Sequence, residues 1–198
     1  MDWSLEKEFI TQGFQVIAGT DEAGRGPLAG PVFAAAVILP VDIEIEGLND
    51  SKKLTEKKRE KLFDIIIEKA LSYSIEMSTV EEIDSLNILE ASQLAMRRAV
   101  SKLDPSPDMV LVDGNIARGF TTPTKCVIHG DAISPSIAAA SILAKVSRDR
   151  LCMELDRDYP EYGFKKHKGY GTKDHMNAIR EYGPCEHHRR TFLKFLNK

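Results

Sequence analysis

Cysteine is scarce in these 198 residues: Cys126, Cys152 and Cys185 are the only three, with no Cys-x-x-Cys spacing. An odd thiol is left over in any disulfide scheme, so reduced thiols in a reducing compartment are expected. No run of about 18 apolar residues exists to span a bilayer. The opening Met1-Asp2-Trp3-Ser4-Leu5-Glu6 has neither the basic start nor the apolar stretch of a secretory leader. A soluble cytoplasmic protein with no membrane partner is the expectation. Gly-x-x-x-x-Gly-Lys-Ser/Thr, His-Glu-x-x-His and Gly-x-Ser-x-Gly are all missing, which sets aside P-loop, zincin and serine-hydrolase chemistry. Internal repeats and low-complexity tracts are absent too. Neither sign of charge dominates, with a net charge of −3, but the distribution is uneven. Residues 1–144 carry 14 Lys+Arg against 22 Asp+Glu, whereas residues 145–198 carry 13 against 8, making the C-terminal quarter the basic face.

What is present reads as interleaved strands and helices, hence α/β with a mixed sheet. Strands are expected at Phe14–Thr20, Pro31–Leu39, Leu71–Met77, Met109–Val112 and Lys125–Ile128. Helices are expected at about 55–70, with Thr55 as cap, at 80–103, and at 135–158, where Ala138-Ala139-Ala140 can lie tightly on a sheet. Residues 159–198 read as a C-terminal helical extension to a single domain, with a Gly163–Gly171 loop and helices over about 172–182 and 186–196. The run Met109-Val110-Leu111-Val112 is continuously apolar, as expected of a strand covered on both faces.

Aspartates gather at the ends of these strands. Asp21 and Glu22 follow Val16-Ile17-Ala18, Asp113 follows Val112, and Asp131 follows the strand at 125–128. Side-by-side carboxylates raise each other's pKa unless a cation neutralises them, and an all-oxygen donor set with no Cys or clustered His suits Mg²⁺ or Mn²⁺ rather than zinc. Two such ions about 3.5–4 Å apart can clamp the attacking and leaving oxygens of a phosphoryl displacement. Taken singly, each acid has another reading: Asp113-Gly114 as a turn, Asp131 as a cap, Glu22 as a solvated side chain, Asp21 as a partner of Arg25. Gly24-Arg25-Gly26 is a turn whose glycines permit close approach of a bulky ligand.

The stretch from Asp21 to Val32 (DEAGRGPLAGPV), with Asp50-Ser51-Lys52-Lys53-Leu54, Val112-Asp113-Gly114, Gly130-Asp131, the run from Ala139 to Asp149 and His167-Lys168-Gly169-Tyr170-Gly171-Thr172, resembles ribonuclease HII in order along nearly the whole chain. The resemblance implies a ribonuclease H-like fold, a mixed five-stranded sheet flanked by helices with a C-terminal helical extension. It implies Asp21, Glu22, Asp113 and Asp131 as catalytic metal ligands, and a monomeric endonuclease acting on RNA/DNA hybrids and on DNA duplexes with embedded ribonucleotides. Gly24, Arg25 and Gly26 would read the 2′-OH, the group that separates RNA from DNA, with Tyr170 against the sugar. Lys52, Lys53, Ser141, Lys145 and Arg148 are candidates for contact with the substrate backbone. Lys165, Lys166, His167 and Lys168 are read either as a phosphate-steering loop or as a solvated one, and His129 as structural. Two other readings stand beside this one: a different carboxylate nuclease of the same fold, such as a resolvase or transposase relative, and a non-catalytic nucleic-acid-binding relative.

Overall fold

Backbone pairing on both sides holds the central strand. In the computed structural model, which describes residues 1–197, β1 (Ile17–Ala23) pairs antiparallel with β2 (Val32–Ile38) and parallel with β4 (Met109–Asp113). β3 (Ser72–Ser78) flanks β2, and β5 (Thr124–Val127) flanks β4, so the order is β3-β2-β1-β4-β5. The apolar run of β4 thus lies inside the sheet, as its composition predicts. β1 begins and ends three residues later than the sequence suggests. Antiparallel pairing with β2 carries its extended backbone through Glu22↔Ala34 and Ala23↔Phe33. At its other end, Gln15 and Val16 give their N–H groups to the Asp108 carboxylate.

Alternation along the strands divides the core between two helical layers. Ala34, Ala36, Val110 and Val112 pack with α4 (Ile88–Ser101). Ala35 and Val37 face α2 (Glu56–Lys69) and α5 (Pro135–Asp158), while Met109, Leu111 and Val127 close on Phe9 and Ile137. Thr55 caps α2 as predicted, its hydroxyl accepting from Lys58 N–H. Ser134 caps α5, with Pro135 in its first turn. Ala138, Ala139 and Ala140 are fully buried against the sheet. The approach is tightest at Gly19, where a Cβ would lie 2.3 Å from the backbone nitrogen of Ile137. Glu6 of α1 (Ser4–Thr11) accepts from the Ser134 hydroxyl at 2.6 Å and ties the first helix to the same corner.

Two helices depart from expectation. The tract 80–103 is broken into α3 (Val80–Leu86) and α4 by Asn87, at φ 76°, whose side chain accepts from the N–H groups of Leu89 and Glu90. A side-chain cap inside an apolar repeat outcompetes continuation of the helix. The loop at 163–171 contains one short turn, α6 (Phe164–His167), and α7 spans Lys173–Tyr182. No α-helix follows at 186–196. His188 bridges Ala29, and 3₁₀ turns occupy Arg190–Phe192 and Lys194–Asn197. The Asp84 carboxylate takes the N–H groups of Arg190 and Thr191 and Arg189 enters the core, so tertiary partners replace helical hydrogen bonds.

Candidate active site

Sheet topology decides where the acids meet. Register between β1 and β4 runs to Thr20↔Val112, so Asp21 comes level with Asp113 at the end of β4 and Glu22 lies just beyond it. Asp113 ends β4, and Asp131 comes from the 3₁₀ turn Gly130–Ala132 beyond β5. This is the crevice beyond strand carboxyl ends, beside a change of strand direction, that open α/β sheets use for ligands. Burial raises the Asp21 carboxyl well above the usual carboxylate range. The charges of Glu22 and Asp113 add to the rise, while hydrogen bonds from Ser141 and the Glu22 amide oppose it. Glu22 is raised by burial despite Arg25, 3.4 Å from it. Asp113 is raised by burial and by Asp131, although Gly130 N–H donates to it at 2.7 Å.

These acids repel one another without closing on one point. Among the described residues no three His, Cys, Asp or Glu side chains form a ready-made cage. Asp131 is turned onto Lys52 Nζ at 3.2 Å. Their chemistry fits a hard divalent cation: all donors are carboxylate oxygens, and burial together with the charges of neighbouring acids makes three of the four resist ionisation. Asp131 would have to exchange Lys52 for the ion.

The backbone-contact candidates divide. Lys52 and Lys53 are exposed on the Ser51–Lys53 turn. Burial lowers the Lys52 ammonium pKa, but the bond and charge of Asp131 outweigh it and hold the group above its ordinary value. Ser141 is buried beneath the site, 2.9 Å from the Ser51 hydroxyl, and Arg148 is 1% exposed. Both therefore lie behind the surface that Lys52 and Lys53 present. The helical spacing that groups them with Lys145 describes a face turned to the core. Lys145 is half-buried and paired with Asp149, which Arg59 also approaches. In the basic loop Lys165 and Lys166 are exposed, with Lys166 on Asp174, whereas His167 is buried. His129 is exposed at φ 57°.

The Gly24–Gly26 turn lies directly after the acids. A Cβ on Gly24, at φ 104°, would sit 2.2 Å from Arg148 Nε, and one on Gly26 would touch the Tyr170 ring at 3.4 Å. Arg148 donates to Ala29 O and Gly169 O accepts from Leu28 N–H, so the Tyr170 loop is fastened to the turn. Sequence reasoning missed what holds both from behind. Arg189 sends its guanidinium to the carbonyls of Gly24, Arg25, Pro27, Gly30 and Pro31 at 2.6–3.3 Å. Beside it runs a chain of imidazoles. His188 Nδ1 accepts from Cys185 N–H, so Nε2–H donates to His175 Nε2 at 3.0 Å, and His175 Nδ1–H donates to Tyr170 O at 2.9 Å. The only outward signal was the density of His and Arg at 187–190.

This chain works only while both rings are neutral. Burial lowers His175 and His188 to about 4, with His167 adding to the first and His175 to the second. Folded values below the ordinary 6.5 mean that their contribution to stability is full above about pH 6.5 and is lost progressively as pH falls toward 4. The raised acids run the opposite way, so ring resonances read the effect more directly than a melt. Proton NMR should find His175 and His188 still neutral at about pH 5. A midpoint near 6.5 for either ring would overturn the tautomer chain.

The family model described as Ribonuclease HII matches residues 18–196. A Ribonuclease HII of Caldicellulosiruptor saccharolyticus is 55% identical over 97% of this chain and 94% of its own length. One of Ruminiclostridium cellulolyticum is 56% identical over 96% of this chain and 75% of its own length. Among solved structures, the ribonuclease H2 of Pyrococcus horikoshii OT3 superposes with a TM-score of 0.75 at 29% identity, covering 92% of this chain and 98% of that one.

Proposed function

The chain belongs to the ribonuclease HII family, and from that premise we propose that it is a divalent-metal-dependent endonuclease. In this reading it cuts the RNA strand of RNA/DNA hybrids and incises DNA duplexes on the 5′ side of embedded ribonucleotides. One observation carries the proposal: the acids of β1 run without a break into a turn whose third residue lies under the Tyr170 ring. A sugar inspected by Gly24, Arg25, Gly26 and Tyr170 is thereby placed within a few residues of the acids that act on its phosphate.

Asp21, Glu22, Asp113 and Asp131 are the residues that would hold Mg²⁺ or Mn²⁺, which when bound supply activation of water and neutralisation of the leaving 3′-oxygen. The chain itself contributes placement. Hydrogen bonds from the Gly130 and Glu22 amides orient Asp113 and Asp21, and Lys52 keeps Asp131 compensated until it is needed. Exposed Lys52, Lys53 and Arg25 would meet the phosphates of a duplex in this reading. In this reading the protein works as a monomer on nucleic acid in the cytoplasm; no helix among the described residues is long and apolar enough to cross a membrane.

Incubation with a duplex bearing one ribonucleotide, and then four, with Mg²⁺ or Mn²⁺ is the test. Cuts leaving 3′-hydroxyl and 5′-phosphate ends at the ribonucleotide are expected. Failure to incise, or equal cutting of an all-DNA branched substrate, would remove the proposal. For Lys52→Ala, binding should weaken about equally across duplex sequences, and the slope of log K against log salt should shrink by roughly one. An unchanged slope in a salt titration would mean that Lys52 serves Asp131 alone.

A further inference from the structure

Arg189 is among the largest fully buried side chains in the protein, and its charge meets no carboxylate among the described residues. Its partners are all backbone carbonyls: Gly24 at 2.6 Å, Pro27 and Gly30 at 2.8 Å, Arg25 at 3.0 Å and Pro31 at 3.3 Å. A second buried guanidinium, Arg148, lies against the same turn with its Nε unpartnered. Burial, and then the charge of Arg148, depress the Arg189 pKa to about 9. An apolar side chain would fill this volume without the cost of burying a cation.

We infer that Arg189 is a positioning residue for sugar discrimination, turning the Arg25 and Gly26 N–H groups outward as paired donors for the ribose 2′-hydroxyl. The inference rests on the function proposed above. It follows from peptide geometry: in a planar trans peptide the C=O and the next N–H point in opposite directions. The carbonyls of Gly24 and Arg25 are drawn inward onto Arg189, so the N–H groups of Arg25 and Gly26 point outward. Both residues are exposed. Neither N–H meets an acceptor among the described residues; the neighbouring turn bonds begin at Leu28 N–H, which donates to Gly169 O. The Tyr170 ring borders the same opening through Gly26.

The fork of Arg189 fixes both peptide planes at once, because one nitrogen serves Arg25 and Pro27 while another serves Gly24 and Pro31. A lysine has three donors on one atom and cannot span that set. With the planes released, the turn still presents charge to the duplex but no longer presents two aligned donors to the sugar.

The experiment measures Kd for a duplex with one ribonucleotide and for its all-deoxy twin, in an Asp113→Asn background that keeps the substrate intact. The parent protein should prefer the ribonucleotide duplex by about tenfold, the worth of one to two net hydrogen bonds. Arg189→Lys should bring that ratio to within about twofold while leaving the all-deoxy Kd nearly unchanged. In Arg189→Ala, millimolar guanidinium should restore the ratio and ammonium should not. Partial unfolding lowers the active fraction but does not alter a ratio of two affinities. Arg189→Gln, which keeps two donors without the charge, gives the same reading if lysine unfolds the segment. A ratio that survives in Arg189→Lys or Arg189→Gln overturns the inference alone. A wild-type protein that fails to incise the ribonucleotide duplex overturns the proposed function and the inference with it.

Discussion

Asp113→Asn should abolish incision, by about 10³-fold or more, while duplex binding stays within a fewfold of wild type. A cation at the phosphate is worth several kcal/mol in the transition state, and each 1.36 kcal/mol is a factor of ten in rate. Asparagine keeps an oxygen for the Gly130 N–H that Asp113 now accepts at 2.7 Å, so the turn carrying Asp131 should hold. Single-turnover cleavage and a binding isotherm on the same duplex check both halves; loss of binding together with cleavage would assign Asp113 to structure. Asp21→Asn should match it in activity and differ in stability. Burial and the charges of Glu22 and Asp113 hold Asp21 well above the usual carboxylate range. Its ionised form therefore weakens the fold, by an amount that grows as pH rises through the folded pKa. In metal-free buffer Asp21→Asn should melt higher than wild type at pH 8, with the gain shrinking toward pH 4.5. A melting temperature below wild type at both pH values would mean that the acids are already compensated.

Gly19→Ala should be the most damaging single methyl added to the sheet. Its Cβ would lie 2.3 Å from Ile137 N and from Ser136 C, and 2.6 Å from Ser136 O. These are backbone atoms in the first turn of α5, so relief requires moving the helix away from β1. Overpacking with a backbone shift costs about 3 kcal/mol, which for a chain of this size lowers Tm by roughly 6–12 °C. Gly13→Ala is the matched control. It has φ 104° and nothing within 4 Å, so it bears only the conformational cost of about 1–2 kcal/mol. Thermal denaturation of the two variants separates contact from conformation. Equal, small shifts would mean that helix and strand are not in hard contact at Gly19.

The order of strands and helices could be read from the chain because each carries its own period, turn or cap: Thr55 before α2, Ser134-Pro135 before α5, the unbroken apolar run of β4. The four acids draw notice in the sequence because they stand at the ends of those runs, where the structure also places them. What was not legible has a shared cause. Asn87, Asp84 and Asp108 each redirect backbone N–H groups with a side chain, one of them across 107 positions in sequence, and no local pattern reveals such a partner. Ser141 and Arg148 have the spacing of an exposed helix face yet lie inside, because the C-terminal segment folds back over the helix near Arg148 and the Ser51 turn covers Ser141. A buried arginine satisfied by carbonyls reads in sequence as one more basic residue, so Arg189 could not be told from Arg190.

The bonds from Arg189 to the turn at 24–31 span 158 to 165 positions. During synthesis the chain emerges from its N-terminus. All four acids are therefore made, and β1, β4 and β5 can pair, well before the residue that sets the turn leaves the ribosome. The carboxylates come first, and the side chain that fixes the turn beside them comes last. A nascent chain halted near residue 183 would carry all four acids, the Gly24–Gly26 turn and Tyr170, but not the guanidinium that holds the turn's carbonyls.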